Sequence, residues 1–145
     1  MANIKLTVEY EGTHFRGWQI QDKKSRTVQG EIEKVLLKLC KEKVRLIGTG
    51  RTDSGVHALK QVANFKTTSQ RSLQEMLKAL NGLLAEDIAI LEIRAVAENF
   101  HARYSAKSKT YRYTILNREI RSPLFHDFSL FYPWKLDLSL MRKEA

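Results

Sequence analysis

Apolar and polar residues alternate from the start of this chain: Ile4, Leu6, Val8 and Tyr10 are separated by Lys5, Thr7 and Glu9. A strand turns successive side chains to opposite faces, so this alternation predicts a half-buried strand. The next segment, Glu11 to Gln19, has two glycines and no period, and reads as a loop in which Phe15 and Trp18 are hydrophobic plugs. The spacing then becomes helical. Val28, Ile32, Val35, Leu36, Leu39 and Cys40 fall on one stripe, which predicts a helix from just after Thr27 to near Lys43. Val44–Thr49 and Gln61–Phe65 read as a second and a third strand. Ser72 and Glu75 have the spacing of a capping box. They open a second helix with Leu73, Met76, Leu77, Leu80 and Leu84 on its apolar face, expected to end at Asn81-Gly82. Ile88–Val96 reads as a fourth strand.

The order β-α-β-β-α-β predicts an α+β fold of the ferredoxin-like or RRM-like kind, an antiparallel sheet with two helices on one face. Residues 1–105 would form this N-terminal subdomain, and residues 106–145 the beginning of a second one. In that second part Thr110–Ile115 reads as a fifth strand, with Tyr113 assigned to packing. Pro123 and Pro133 bracket an aromatic-rich loop, and a helix is expected from about Leu136 to the last residue, Ala145.

Composition narrows the function. With 43% hydrophobic and 28% charged residues the chain is an ordinary globular one. No apolar run approaches the roughly 20 residues that span a bilayer, and Met1 to Leu6 lead straight into the first strand without a signal-peptide pattern. The single cysteine, Cys40, excludes an internal disulfide and suits a reducing cytoplasm; its place on a helical apolar stripe marks it as a structural thiol. No Cys/His cluster has zinc-ligand spacing, so no metal is expected. The net charge of +9 points to a polyanionic partner. Between Asn99 and Arg121, His101, Arg103, Lys107, Lys109, Arg112, Arg118 and Arg121 are interleaved with Phe100, Tyr104, Tyr111 and Tyr113. Cations for phosphates and aromatic faces for unstacked bases suit single-stranded RNA.

The densest chemistry lies in Gly48-Thr-Gly-Arg-Thr-Asp-Ser-Gly-Val-His-Ala58, which sets one carboxylate, Asp53, beside Arg51 in a Gly-flanked loop between two strands. An anion there is an odd choice in so basic a chain unless it reacts; as plain structure it would close an Asx-turn. His57 could serve as an acid–base group, but a loop-ordering hydrogen bond is the expected role. Gly48-x-Gly50 lacks the Gly-Lys-Ser/Thr of a phosphate loop.

This stretch resembles the active-site loop of the TruA family of tRNA pseudouridine synthases. The likeness extends over Val8–Gln19, Thr27–Gln29, Phe100–Ala106 and the segment around Tyr111. It implies an isomerase that converts uridine to pseudouridine in the anticodon stem-loop of tRNA, without a cofactor, as a cytoplasmic homodimer. Asp53 matches the family's catalytic carboxylate; whether that group attacks the uracil ring, attacks C1′ or removes a ribose proton stays open. Tyr111 matches the tyrosine that packs on the target uracil and can act as base. Arg51 matches the arginine that helps to flip the base, its plain structural role being a salt bridge to Asp53. Arg71, His101, Arg103 and Tyr104 match positions that contact tRNA. Family members are markedly longer and draw the catalytic carboxylate's basic partner from their second half. The chain is therefore expected to be an N-terminal part, inactive or nearly so alone.

A different class remains in view. A non-catalytic RRM-like RNA-binding module would explain the charge and the aromatics, although the RRM aromatic signature is missing from the third strand.

Overall fold

The computed structural model describes residues 1–22 and 24–144. The chain divides into two compact units, Met1–Lys107 and Ser108–Ala145.

In the first unit β1 (Ala2–Tyr10), α1 (Val28–Cys40), β2 (Ile47–Gly48), β3 (Ala58–Thr67), α2 (Leu73–Leu83) and β4 (Ile88–Val96) follow one another. The strands form a four-stranded sheet in the order β2-β3-β1-β4. All the pairings are antiparallel. This is the expected α+β, ferredoxin-like arrangement. Alternation along β1 divides the two faces. Ile4, Leu6, Val8 and Tyr10 enter one core with Ala63, Phe65, Ile88 and Ile90 and with the buried stripes of both helices. Asn3, Lys5, Thr7 and Asn64 belong to the opposite, helix-free face.

Both helices of this unit begin where the sequence places them. Thr27 Oγ1 accepts the Gly30 N–H at 3.2 Å, while Ser72 and Glu75 cap one another's backbone as a capping box. The ends differ from expectation. α1 stops at Cys40 because Lys41 turns into the left-handed region at φ 56°, a C-terminal signal ordinarily carried by glycine. α2 runs through Asn81-Gly82 to Leu83. Asn81 ends nothing; its side chain donates to the Ile90 carbonyl at 2.9 Å and accepts the Ile90 N–H at 2.8 Å. That bond lies where the β1–β4 register shifts between Thr7 and Val8.

The second strand is shorter than expected and the third longer. Only Ile47 and Gly48 pair with β3, although Val44 and Leu46 are buried. The Leu46 N–H goes to Glu33 Oε1 at 2.8 Å and its carbonyl accepts from Gln29 Nε2 at 3.1 Å. Side chains of α1 thus replace a ladder there. Cys40 is half-buried against the core.

The second unit holds β5 (Ile115–Leu116), β6 (Leu130–Phe131) and α3 (Leu138–Glu144). β5 and β6 pair in parallel. The expected strand Thr110–Ile115 is thus corrected: residues 110–114 are irregular. Tyr113 is 91% exposed and does not pack as assigned, because none of the described residues of this unit is buried. The loop expected between Pro123 and Pro133 contains β6. The helix expected from Leu136 begins at Leu138, and Ala145 lies outside the described residues.

Candidate functional site

Two loops meet at the end of the sheet where β1 finishes and β3 starts. One joins β1 to α1; the other, between β2 and β3, carries Asp53. They are fastened mainly through backbone. The Trp18 N–H donates to the Thr52 carbonyl at 3.1 Å, and the Gly55 N–H to the Phe15 carbonyl at 3.2 Å. Ser54 Oγ reaches the same Phe15 carbonyl at 3.1 Å. Within the Asp53 loop the Val56 N–H donates to the Asp53 carbonyl at 3.2 Å, with Gly55 at φ 78° in the third position of the turn. A residue with a Cβ is strained in that conformation.

The loops come so close because glycines line the seam. A Cβ on Gly12 would lie 2.1 Å from the Val56 carbonyl oxygen, and one on Gly17 2.4 Å from that of Thr52. Phe15 and Trp18 are buried, as plugs should be. Arg26 lies 4.1 Å above the Phe15 ring and grips Asp87 through two hydrogen bonds of 2.6 and 2.9 Å. Those bonds hold the Asp87 carboxyl below the usual carboxylate range. His57 Nδ1 accepts the Gly12 N–H at 3.0 Å, the loop-ordering bond expected of it.

On this fixed backbone the Asp53 side chain is exposed. Among the described residues its carboxylate takes part in no hydrogen bond or ion pair. The main chain of Asp53 closes the turn and its side chain does not, so an Asx-turn is not its role. Arg51 is exposed on the same loop and forms no salt bridge with Asp53.

The remaining candidates belong to other segments of the chain. Arg71 donates from Nε to the Leu39 carbonyl at 3.0 Å, near the C-terminus of α1. His101 stacks on Tyr104 with ring centroids 4.3 Å apart, in a turn closed by a 2.8 Å bond from the Ser105 N–H to the His101 carbonyl. Arg103 and Tyr104 are exposed on that turn. Tyr111 is 69% exposed and belongs to the second unit.

Three features escaped the sequence reading. The Gly12 and Gly17 seam had a signal, two glycines in an aperiodic loop, but its partner was not readable. The Arg26–Asp87 pair, 61 residues apart, and the buried amides of Asn3 and Asn64 gave none. Beside the seam, His14, Arg16, Lys24 and Arg26 line an open depression of about 740 Å³ with Asp22 and Ser25.

A family model described as tRNA pseudouridine synthase matches residues 6–105. Among similar proteins, the tRNA pseudouridine synthase A of Caldicellulosiruptor bescii is 48% identical over 143 residues, which is 99% of this chain and 58% of that protein. The tRNA pseudouridine synthase A of Thermoanaerobacter pseudethanolicus is 44% identical over 145 residues, 100% of this chain and 59% of its own. That of Aquifex aeolicus is 48% identical over 129 residues, covering 89% and 53%. The chain thus spans somewhat over half the length of the curated relatives it matches.

Proposed function

The chain belongs to the tRNA pseudouridine synthase family, and on that footing we propose that it supplies the reactive carboxylate and part of the RNA-binding surface of an enzyme that converts uridine to pseudouridine in the anticodon stem-loop of tRNA. The observation that carries this reading is the state of Asp53. Its backbone is tied on both sides by the loop seam, yet its carboxylate is exposed and free of structural work among the described residues. A reactive group has to be held still and left unoccupied.

The reaction breaks the N1–C1′ bond, turns the uracil, joins C5 to C1′ and moves the C5 proton to N1. Atoms and electrons balance without an oxidant, a reductant or a cofactor. Asp53 acts on the ribose or the uracil ring, and Tyr111 packs on the swung-out base and takes the C5 proton. Arg51 stacks in or grips the vacated site, for which a planar guanidinium is suited. His101, Arg103, Tyr104 and Arg71 hold the RNA through phosphate and base contacts. The whole protein works in this reading as a cytoplasmic homodimer, with one tRNA touching both subunits.

Replacement of Asp53 by Asn in a protein of the relatives' full length tests the proposal. Release of tritium from C5-labelled uridine in an anticodon-arm RNA should fall to background, with tRNA affinity changed less than about threefold. A plain RNA-binding module predicts the reverse, slightly tighter binding once the anion is gone and no turnover in either protein. The 145-residue chain by itself should bind tRNA and turn over little or none.

A further inference from the structure

Two asparagines on the helix-free face of the sheet have no part in the proposed chemistry. Asn3 on β1 is 3% exposed and Asn64 on the neighbouring β3 is 2% exposed. Amides taken out of water persist where their polar atoms find partners, and here the partners lie in one segment. Asn64 Nδ2 donates to Asn3 Oδ1 at 2.9 Å, fixing the two amides in a single orientation. Asn3 Nδ2 then donates to the carbonyls of Ala97 and Phe100, each at 2.9 Å. Asn64 Oδ1 is left to accept the Ala102 N–H at 2.8 Å.

The chain that leaves β4 at Val96 is thereby drawn back across β1 to β3. Ala102 is pressed against the sheet at 1% exposure, and the next residues turn outward. His101 N–H donates to Ser105 Oγ at 3.2 Å, and the Ser105 N–H returns to the His101 carbonyl. On this closed turn Tyr104 is 79% exposed, and His101 stacks on it.

We propose that the Asn3–Asn64 pair positions this cationic and aromatic turn for RNA: it holds residues 101–104 over the sheet before RNA arrives, so that their phosphate and stacking contacts are preorganised. The inference rests on the reading of the turn as an RNA contact. Neither asparagine touches RNA; both act through the backbone of residues 97–102. A turn cut loose from Asn64 would have to be ordered at the moment of binding; its contacts do not repay that cost, so it stays off the RNA and its phosphate contacts leave the complex although the cations remain in the chain.

The test is binding of an unmodified tRNA transcript by the 145-residue chain over a range of salt concentrations. The slope of log affinity against log salt counts phosphate contacts at about 0.7–0.9 each. The double variant His101→Ala/Arg103→Ala should lower both affinity and slope. Asn64→Ala should weaken binding about tenfold and lower the slope by about 1 to 2, and should do nothing further in the double-variant background. Leu36→Ala, which damages the core beneath α1, should leave the slope alone. Where Asn64→Ala does not fold, Asn3→Asp replaces it; its carboxylate repels the Ala97 and Phe100 carbonyls at constant side-chain size, and should lower the slope in the same way. An unchanged slope in the double variant overturns the RNA reading of the turn, and this proposal with it. A lowered slope there, combined with a native slope in the asparagine variants, overturns the positioning role alone. So does an undiminished effect of Asn64→Ala in the double-variant background.

Discussion

The hydroxyls of Tyr10 and Thr52 share a hydrogen bond of 2.7 Å, which joins the last residue of β1 to the residue before Asp53. Burial pushes the Tyr10 phenol above its ordinary pKa, so it stays neutral through the physiological range. Its ring also lies 6.0 Å from that of Trp18, tilted by 38°. Tyr10→Phe keeps the ring and removes the bond. A loss of about 1 kcal/mol in denaturant unfolding is expected. In the full-length protein the turnover number should fall more than tRNA affinity does. An equal loss in both would show that the bond serves general stability and not the carboxylate's placement.

Gly17 and Gly55 offer a matched comparison, since both have φ 78°. Alanine at either position carries the left-handed backbone cost of about 1–2 kcal/mol. At Gly55 the new methyl would meet nothing within 4 Å, whereas at Gly17 it would meet the Thr52 carbonyl oxygen at 2.4 Å. Gly17→Ala should therefore lower the thermal midpoint clearly further than Gly55→Ala. Equal midpoints would mean that the two loops part without cost.

The Arg26–Asp87 pair predicts an acid dependence of stability. Arg26 lowers the Asp87 pKa in the folded chain, so the folded state binds its proton less readily than the unfolded one. The contribution is complete above the unfolded value of about 3.9 and is lost as pH falls through the lower folded value. Asp87→Asn should cost about 1 kcal/mol at pH 7, because the pair is only partly sheltered. The gap between native and variant should narrow steadily once the pH drops below about 4. Urea midpoints at pH 7 and under acid conditions check this, and a gap that stays constant would contradict it.

Arg71 joins two roles that substitution can separate. Its Nε–H meets the Leu39 carbonyl at the end of α1, where carbonyls lack helical partners and a cation is favoured. Arg71→Lys and Arg71→Ala should both lose about 0.5–1 kcal/mol of stability. Only the alanine variant should show a reduced salt slope for tRNA binding, since lysine retains the charge. A native slope in Arg71→Ala would remove this residue from the RNA surface.

Local patterns carried much of the fold. The alternation from Ile4 to Tyr10 and the stripes on the two helices report burial directly, and both helix starts were legible because a cap lies beside the residues it caps. What failed depended on partners distant in sequence. Val44 to Leu46 has a strand's burial, but its backbone is met by Glu33 and Gln29 from α1, which alternation does not register. Asn81-Gly82 looks like a terminator until Ile90 is seen to take the amide. Lys41 ends α1 in a conformation that no glycine announces. Tyr111 and Tyr113 alternate as on a strand, yet stand exposed in a unit with no buried residue among those described. In the candidate site, Asp53 was readable from its neighbours in sequence. The backbone that steadies it was not, since Gly12 and Gly17 are some forty positions away.

Main-chain atoms form most of the joint between the two loops, and this decides which changes the region can absorb. Substitutions at Thr13, His14 or Arg16 alter side chains that the joint does not use. An insertion or deletion between Gly12 and Trp18 is another matter: it would slide one strip of peptide along the other, out of step by a residue, and drag the acid group with it.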